Sequence, residues 1–238
     1  MQEKSSVFTE YPRPQLKRDS FFNLNGKWLA NESEIIVPFP PESKASEYNG
    51  KLCSTYEYKK EFELPDDFVE ALKNQNQKNR VILHFGAVDQ KATVFVNDIF
   101  VGSHLGGYLP FSFDITDYLE NFSEKQKITL VSEDNLNHFF PYGKQKKNRG
   151  GMWYTPVSGI WQTVWMEPVD KTHITSYYPV SNLAKSLITV DVATANSYTR
   201  DEVKVELLEG RYLEACGNLA IGLAVKVHYL VYDSNVRS

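Results

Sequence analysis

Short runs of β-branched and aromatic residues, many alternating with polar ones, recur along the chain and are closed by Gly, Pro, Asn or Asp. A period of two sends one side of a strand into a core and the other into water, so this pattern predicts an antiparallel all-β domain. Thr55-Tyr-Glu-Tyr-Lys-Lys-Glu-Phe62 alternates, whereas Val81-Ile-Leu-His-Phe85 and Ala92-Thr-Val-Phe-Val96 are denser. Asn97-Asp98 tolerates the left-handed backbone of a tight turn and predicts a hairpin into Ile99-Phe-Val101. Phe111-Ser-Phe-Asp-Ile115, Ile128-Thr-Leu-Val-Ser132 and Gln162-Thr-Val-Trp-Met-Glu167 bring the set to about eight strands, the number of a sandwich. The interior is expected to hold Phe85, Val94, Phe95 or Val96, Phe111, Phe113, Leu130 and Val164. Helix is confined to a brief segment through Phe68-Val-Glu-Ala-Leu72, which Asp66 is placed to cap, and the polar residues 73–80 read as a surface loop.

The pattern shifts after Glu167. Pro168-Val-Asp-Lys-Thr-His173 has linker character, and three further runs, starting at His173, Leu187 and Val203, read as opening strands of a second sandwich. The expected domains are therefore 1–169 and 170–238. Past Gly210, Ala215-Cys-Gly-Asn-Leu-Ala-Ile-Gly-Leu-Ala-Val225 mixes small and apolar residues with no period of two, and no element is assigned there.

Composition narrows the function classes. Hydrophobic residues make up 42% of the chain, enough for a core, yet no apolar run of about 18 residues exists to span a bilayer. A formal net charge of −4 argues against a nucleic-acid partner, which calls for a basic face. Met1-Gln-Glu-Lys-Ser-Ser-Val7 lacks the apolar centre of a secretion signal, so a cytoplasmic location is expected. Cys53 and Cys216 stand far apart outside any CxxC pattern, and neither HExxH, GxGxxG, a Walker sequence nor Gly-x-Ser-x-Gly occurs. No cofactor and no metal site are expected.

The segment between Glu133 and Trp161 has no apolar periodicity but carries His138, Phe139, Phe140, Tyr142, Trp153 and Tyr154. Long ordered loops are uncommon in compact domains and usually have a task. Flat rings suit the C–H faces of sugars, while the hydroxyls need placed donors and acceptors. Tyr142, Trp153 and Tyr154 supply rings here, and Asp134, Lys144, Gln145, Asn148 and Arg149 supply polar partners. The alternative is that the rings anchor the loop and the basic run is a solvated face. In Gly106-Gly107-Tyr108-Leu-Pro110-Phe111, paired glycines permit close backbone approach before a stiffened strand entry.

Together these residues resemble the N-terminal sugar-binding jelly-roll domain of glycoside hydrolase family 2, the group of β-galactosidases, β-glucuronidases and β-mannosidases. The resemblance rests on Tyr11-Pro-Arg-Pro-Gln15, Asn23-Leu-Asn-Gly-Lys-Trp28, Ile36-Val-Pro-Phe-Pro-Pro-Glu42 and Leu83-His-Phe-Gly-Ala-Val-Asp89. It continues through Gly102-Ser-His-Leu-Gly-Gly-Tyr-Leu-Pro-Phe111, Tyr142-Gly-Lys-Gln145 and Trp153-Tyr-Thr-Pro-Val-Ser-Gly-Ile-Trp161. It implies a galactose-binding-like jelly roll followed by the start of an immunoglobulin-like sandwich. It also implies a β-galactosidase-like parent, a carbohydrate substrate and downstream immunoglobulin-like and barrel domains as partners, and leaves a homo-oligomer open. In such proteins two barrel glutamates perform retaining hydrolysis. A barrel needs roughly 250 residues and about seventy follow Glu167, so the chain itself is expected to be non-catalytic. Family members place an acidic residue just before the stretch matched by Ser158-Gly-Ile160. Here Asn148-Arg-Gly-Gly-Met-Trp-Tyr-Thr155 holds no Asp or Glu, so Asn148, Arg149 or Trp153 would have to substitute. A stand-alone carbohydrate-binding module and a subunit-interface scaffold are the alternatives.

Overall fold

The computed structural model describes residues 7–13, 16, 18–74, 79–148, 150–185, 187–196, 202–213 and 219–230. The chain divides into two compact units, Met1–Val169 and Asp170–Ser238.

The first unit opens with β1 (Phe22–Asn23), β2 (Gly26–Ala30), β3 (Ser33–Val37) and β4 (Thr55–Phe62), followed by helix α1 (Asp66–Lys73). Then come β5 (Arg80–Phe85), β6 (Val88–Asp89), β7 (Lys91–Val96), β8 (Ile99–Leu105) and β9 (Phe111–Asp114). β10 (Gln126–Glu133), β11 (Gly159–Ile160) and β12 (Val164–Val169) complete it. A four-stranded sheet in the order β1-β12-β5-β9 and a six-stranded sheet in the order β3-β2-β4-β10-β7-β8 form the expected all-β sandwich. The short ribbon β11-β6 stands apart from both. Alternation explains the core: Val94 and Val96 of β7, Leu130 of β10, and Leu83, Phe85, Val164 and Met166 of β5 and β12 all lie in one buried cluster.

Asn97 and Asp98 adopt left-handed φ of 48° and 64°, and Val96 pairs with Ile99, which is the predicted hairpin. Two expectations, on Phe111 with Phe113 and on Asp66, need correction. Phe111 and Phe113 are only partly buried, because β9 is the edge of its sheet and has one neighbour. Of the alternatives Phe95 and Val96, it is Val96 that points inward. Asp66 is not the helix cap: Pro65 occupies that position without a side-chain bond, and Asp66 and Asp67 sit in the first turn, where carboxylates meet the exposed amides. Of the predicted surface loop, residues 75–78 lie outside the described residues.

β12 is buried on both sides. Trp165 and Glu167 point away from the core, yet are 2% and 1% exposed, because the N-terminal segment around Tyr11 and Arg13 covers them.

The second unit contains β13 (His173–Asn182) paired with β14 (Leu187–Ala195), and β15 (Glu202–Leu213) paired with β16 (Leu219–Leu230), all antiparallel. Part of the aperiodic stretch past Gly210 is thus strand: Leu213 pairs with Leu219. Backbone pairing along a long hairpin does not need an alternating side-chain pattern. Ala215 to Asn218, Cys216 among them, lie outside the described residues.

Candidate functional site

The ribbon of β6 and β11 gathers the loops at one end of the sandwich. Gly159 pairs with Asp89 and Ile160 with Val88. Gly159 has φ +68°, and a methyl group at its Cα would collide with the Tyr58 hydroxyl; a side chain on Gly107 would collide with the Asp89 carboxyl. Gln90 ties in the rest. Its carbonyl accepts from Gly106 N–H at 2.7 Å, its own N–H donates to Glu133 O at 3.2 Å, and its side-chain oxygen accepts from Asn137 N–H at 2.9 Å.

Three carboxyl groups converge on this knot. Asp134 is 4% exposed and accepts from Leu136 N–H at 2.7 Å. Ser158 Oγ lies 2.7 Å from Glu42 Oε1 and 3.2 Å from Asp134 Oδ2, and its one proton favours the nearer Glu42, which also accepts from Ser158 N–H at 3.2 Å. Asp89 is 2% exposed and its Oδ1 has no partner among the described residues. Burial, and then the charge of Asp134, push its carboxyl up from 3.8 to about 7 against an opposing hydrogen bond from Gln145. The folded protein therefore holds a proton on Asp89 that the unfolded chain releases, and stability falls as pH rises from about 4 to about 7. Asp89→Asn, neutral throughout, is expected to flatten that slope. Thermal midpoints recorded across the window check this, and an unchanged slope overturns it.

The loop of residues 134–158 distributes the sequence-predicted residues unequally. Asp134, Lys147 and Ser158 line an open pocket of about 260 Å³ together with Glu42, Cys53 and Pro156. Gln145 forms an isolated bridge with Tyr154, and its side-chain oxygen accepts from Val157 N–H at 2.6 Å, so it braces the loop. Lys144 is exposed, and its carbonyl accepts from Tyr154 N–H at 2.8 Å. Tyr142 stacks on His138 with centroids 4.8 Å apart. Trp153 is half-buried beneath Lys146 Nζ, 5.6 Å from its centroid, whereas Tyr154 is 69% exposed and Asn148 is exposed. Arg149 lies outside the described residues. Sequence reasoning passed over Glu42, Asp89 and Ser158 as site residues. The available signal was a carboxylate closing the apolar run Ala87-Val88-Asp89, where an unpaired charge is costly.

This arrangement provides a floor of hydrogen-bonding groups, suited to a polyhydroxylated ligand, and Tyr154 is exposed elsewhere on the same loop. Among the described residues no group of His, Cys, Asp and Glu has the geometry to hold a metal ion. No described helix is long and apolar enough to cross a membrane.

Comparison with known proteins gives a consistent result. The family profile described as "Glycosyl hydrolases family 2, sugar binding domain" matches residues 22–166. A β-galactosidase of Thermoanaerobacter pseudethanolicus is 34% identical over 117 residues, covering 48% of this chain and 15% of that protein. A β-glucuronidase of Formosa agariphila is 31% identical over 122 residues, covering 50% of this chain and 11% of that protein. The chain thus spans only a small part of the length of these relatives. In fold, it is similar to a crystal structure of Ruminococcus gnavus β-glucuronidase in complex with uronic isofagomine, with TM-score 0.62 and 20% identity over 90% of this chain and 38% of that one.

Proposed function

Because the chain belongs to the sugar-binding domain family of family 2 glycosyl hydrolases, we propose that it serves as the sugar-facing, non-catalytic sandwich of a larger β-glycosidase. The observation that supports this best is the loop end of the sandwich. There a knot of Glu42, Asp134 and Ser158 holds the long loop, Lys147 lines the pocket with it, and Tyr154 of the same loop is exposed. A fixed floor of acceptors orients hydroxyl groups at little entropic cost. Its chemistry is binding and positioning, while two barrel carboxylates belonging to a further domain would cleave the bond.

The carboxylate-rich floor repels an anionic sugar, which favours a β-galactoside-like neutral substrate. A glucuronide is the second reading, favoured by the basic run Lys144, Lys146 and Lys147 on the same loop. The 238-residue chain, assayed with nitrophenyl β-galactoside and nitrophenyl β-glucuronide, is expected to show no turnover. Turnover at enzyme-like rates that disappears in Asp134→Ala would exclude host contamination and overturn the proposal.

A further inference from the structure

A second concave surface lies outside the loop knot. A cleft of about 500 Å³ runs between the N-terminal segment and the loop of residues 106–110, and its floor is the entry to β12. That volume suits a sugar-sized ligand. We propose that this cleft is a separate binding site for a neutral pyranoside. The proposal rests on the sugar-facing reading for its class of ligand and assigns that ligand to a surface which the reading leaves unused.

Three features carry it. The first is a rigid aromatic corner. Tyr108 and Trp161 meet edge to face, with centroids 6.0 Å apart and planes at 74°, and Trp161 Nε1–H donates to Gly107 O at 2.8 Å. Tyr108 is 44% exposed, so a ring face is open to a ligand. A pyranose laid on one ring presents its C–H edge to the other, and neither ring has to be ordered first.

The second feature is a set of polar groups already in position. Gly86 has no side chain, and a Cβ there would collide with Gln162, so the exposed Gln162 side chain lies across bare backbone in the cleft. Arg13 lines the same cleft with its guanidinium 5.4 Å from the Trp165 centroid. One of its terminal nitrogens donates to both oxygens of Glu167, at 2.8 and 3.0 Å. Its Nε–H is buried without an acceptor among the described residues. A buried donor of this kind is uncommon. An amide that both donates and accepts matches the mixed polarity of sugar hydroxyls.

The third is charge balance. Arg13 and Arg18 both pair with Glu167, and the exposed Glu10 lines the cleft as a further carboxylate. These two cations and two anions cancel, which removes the electrostatic gain that an anionic sugar would need.

Calorimetric titration of the 238-residue chain with methyl β-galactopyranoside, methyl β-glucopyranoside and methyl β-glucuronide tests the site. One or both neutral pyranosides are expected to bind in the millimolar range, at least about tenfold tighter than the glucuronide. Gln162→Ala and Tyr108→Ala, checked for an unchanged thermal midpoint, are expected to weaken that binding about tenfold or more. Quenching of indole emission on binding, lost in Trp161→Phe, locates the ligand without relying on affinity. Binding that survives both cleft variants but is lost in Tyr154→Ala overturns the cleft and leaves the loop-end reading standing. Absence of binding by all three methyl glycosides overturns the cleft as well, while the turnover assay judges the accessory-domain reading separately. Binding of a nitrophenyl glycoside alone assigns the cleft to an apolar aglycone and overturns the pyranoside.

Discussion

Replacing Glu167 by alanine is expected to lower the unfolding free energy by about 3 kcal/mol. The carboxylate is 1% exposed and has a dense set of donors. Tyr11 Oη lies 2.6 Å from Oε1, Trp165 Nε1 donates at 2.7 Å, Arg13 donates at 2.8 Å, and Arg18 Nε stands 3.4 Å from Oε2. Burial alone would raise the carboxyl, yet the neighbouring His84, Tyr11 and Trp165 groups hold it well below the usual carboxylate range. The short contacts carry that effect together with Arg13, since His84 Nε2 stands 3.5 Å away and burial lowers the imidazole below its ordinary value. Removing the carboxylate leaves two guanidiniums and a phenol without their shared acceptor. The expected loss sits at the low end of the range for broken buried pairs, because Arg13 and Arg18 keep 24% and 21% of their side chains in water. It also frees the N-terminal segment that covers β12. Urea unfolding of parent and variant checks this, and a difference within experimental error overturns it.

Phe85→Ala is the second large effect, expected at about 3–5 kcal/mol in the same measurement. Phe85 is fully buried on the central strand β5, between β12 and the edge strand β9, and stacks on Phe111 with centroids 5.0 Å apart. Neighbours on both sides prevent collapse into the space left, so the cavity cost adds to the lost transfer energy. Phe113→Ala is expected to cost clearly less: its ring covers bare Gly102 on an edge strand and already meets water on one side. Equal losses for Phe85→Ala and Phe113→Ala would contradict the assignment of β9 as an edge.

How legible the site was depended on how local its determinants are. Asp134, Gln145 and Tyr154 belong to one long aperiodic loop, and its rings and amides were visible as a group. Their division of labour was not, since Gln145 turns inward to Val157 N–H while Tyr154 turns outward. Glu42 reaches Ser158 across 116 positions of sequence, a separation over which no local rule connects a serine to a carboxylate. The raised proton affinity of Asp89 arises first from burial and then from the charge of Asp134, both of which only folding supplies.

The sequence by itself determined the all-β class, the hairpin at Asn97-Asp98 and most of the core. Strand alternation and turn chemistry are short-range properties, written within a few residues. It also carried the family, through motifs spread from Tyr11 to Trp161. Only the tertiary structure decided which strands became edges, leaving Phe111 and Phe113 half in water. The same closure folded the N-terminal segment over Trp165 and Glu167 and brought Tyr108, Gln162 and Arg13 around one cleft. Such outcomes depend on sheet order and on contacts between distant segments, which loop closure selects collectively and no single stretch of chain encodes.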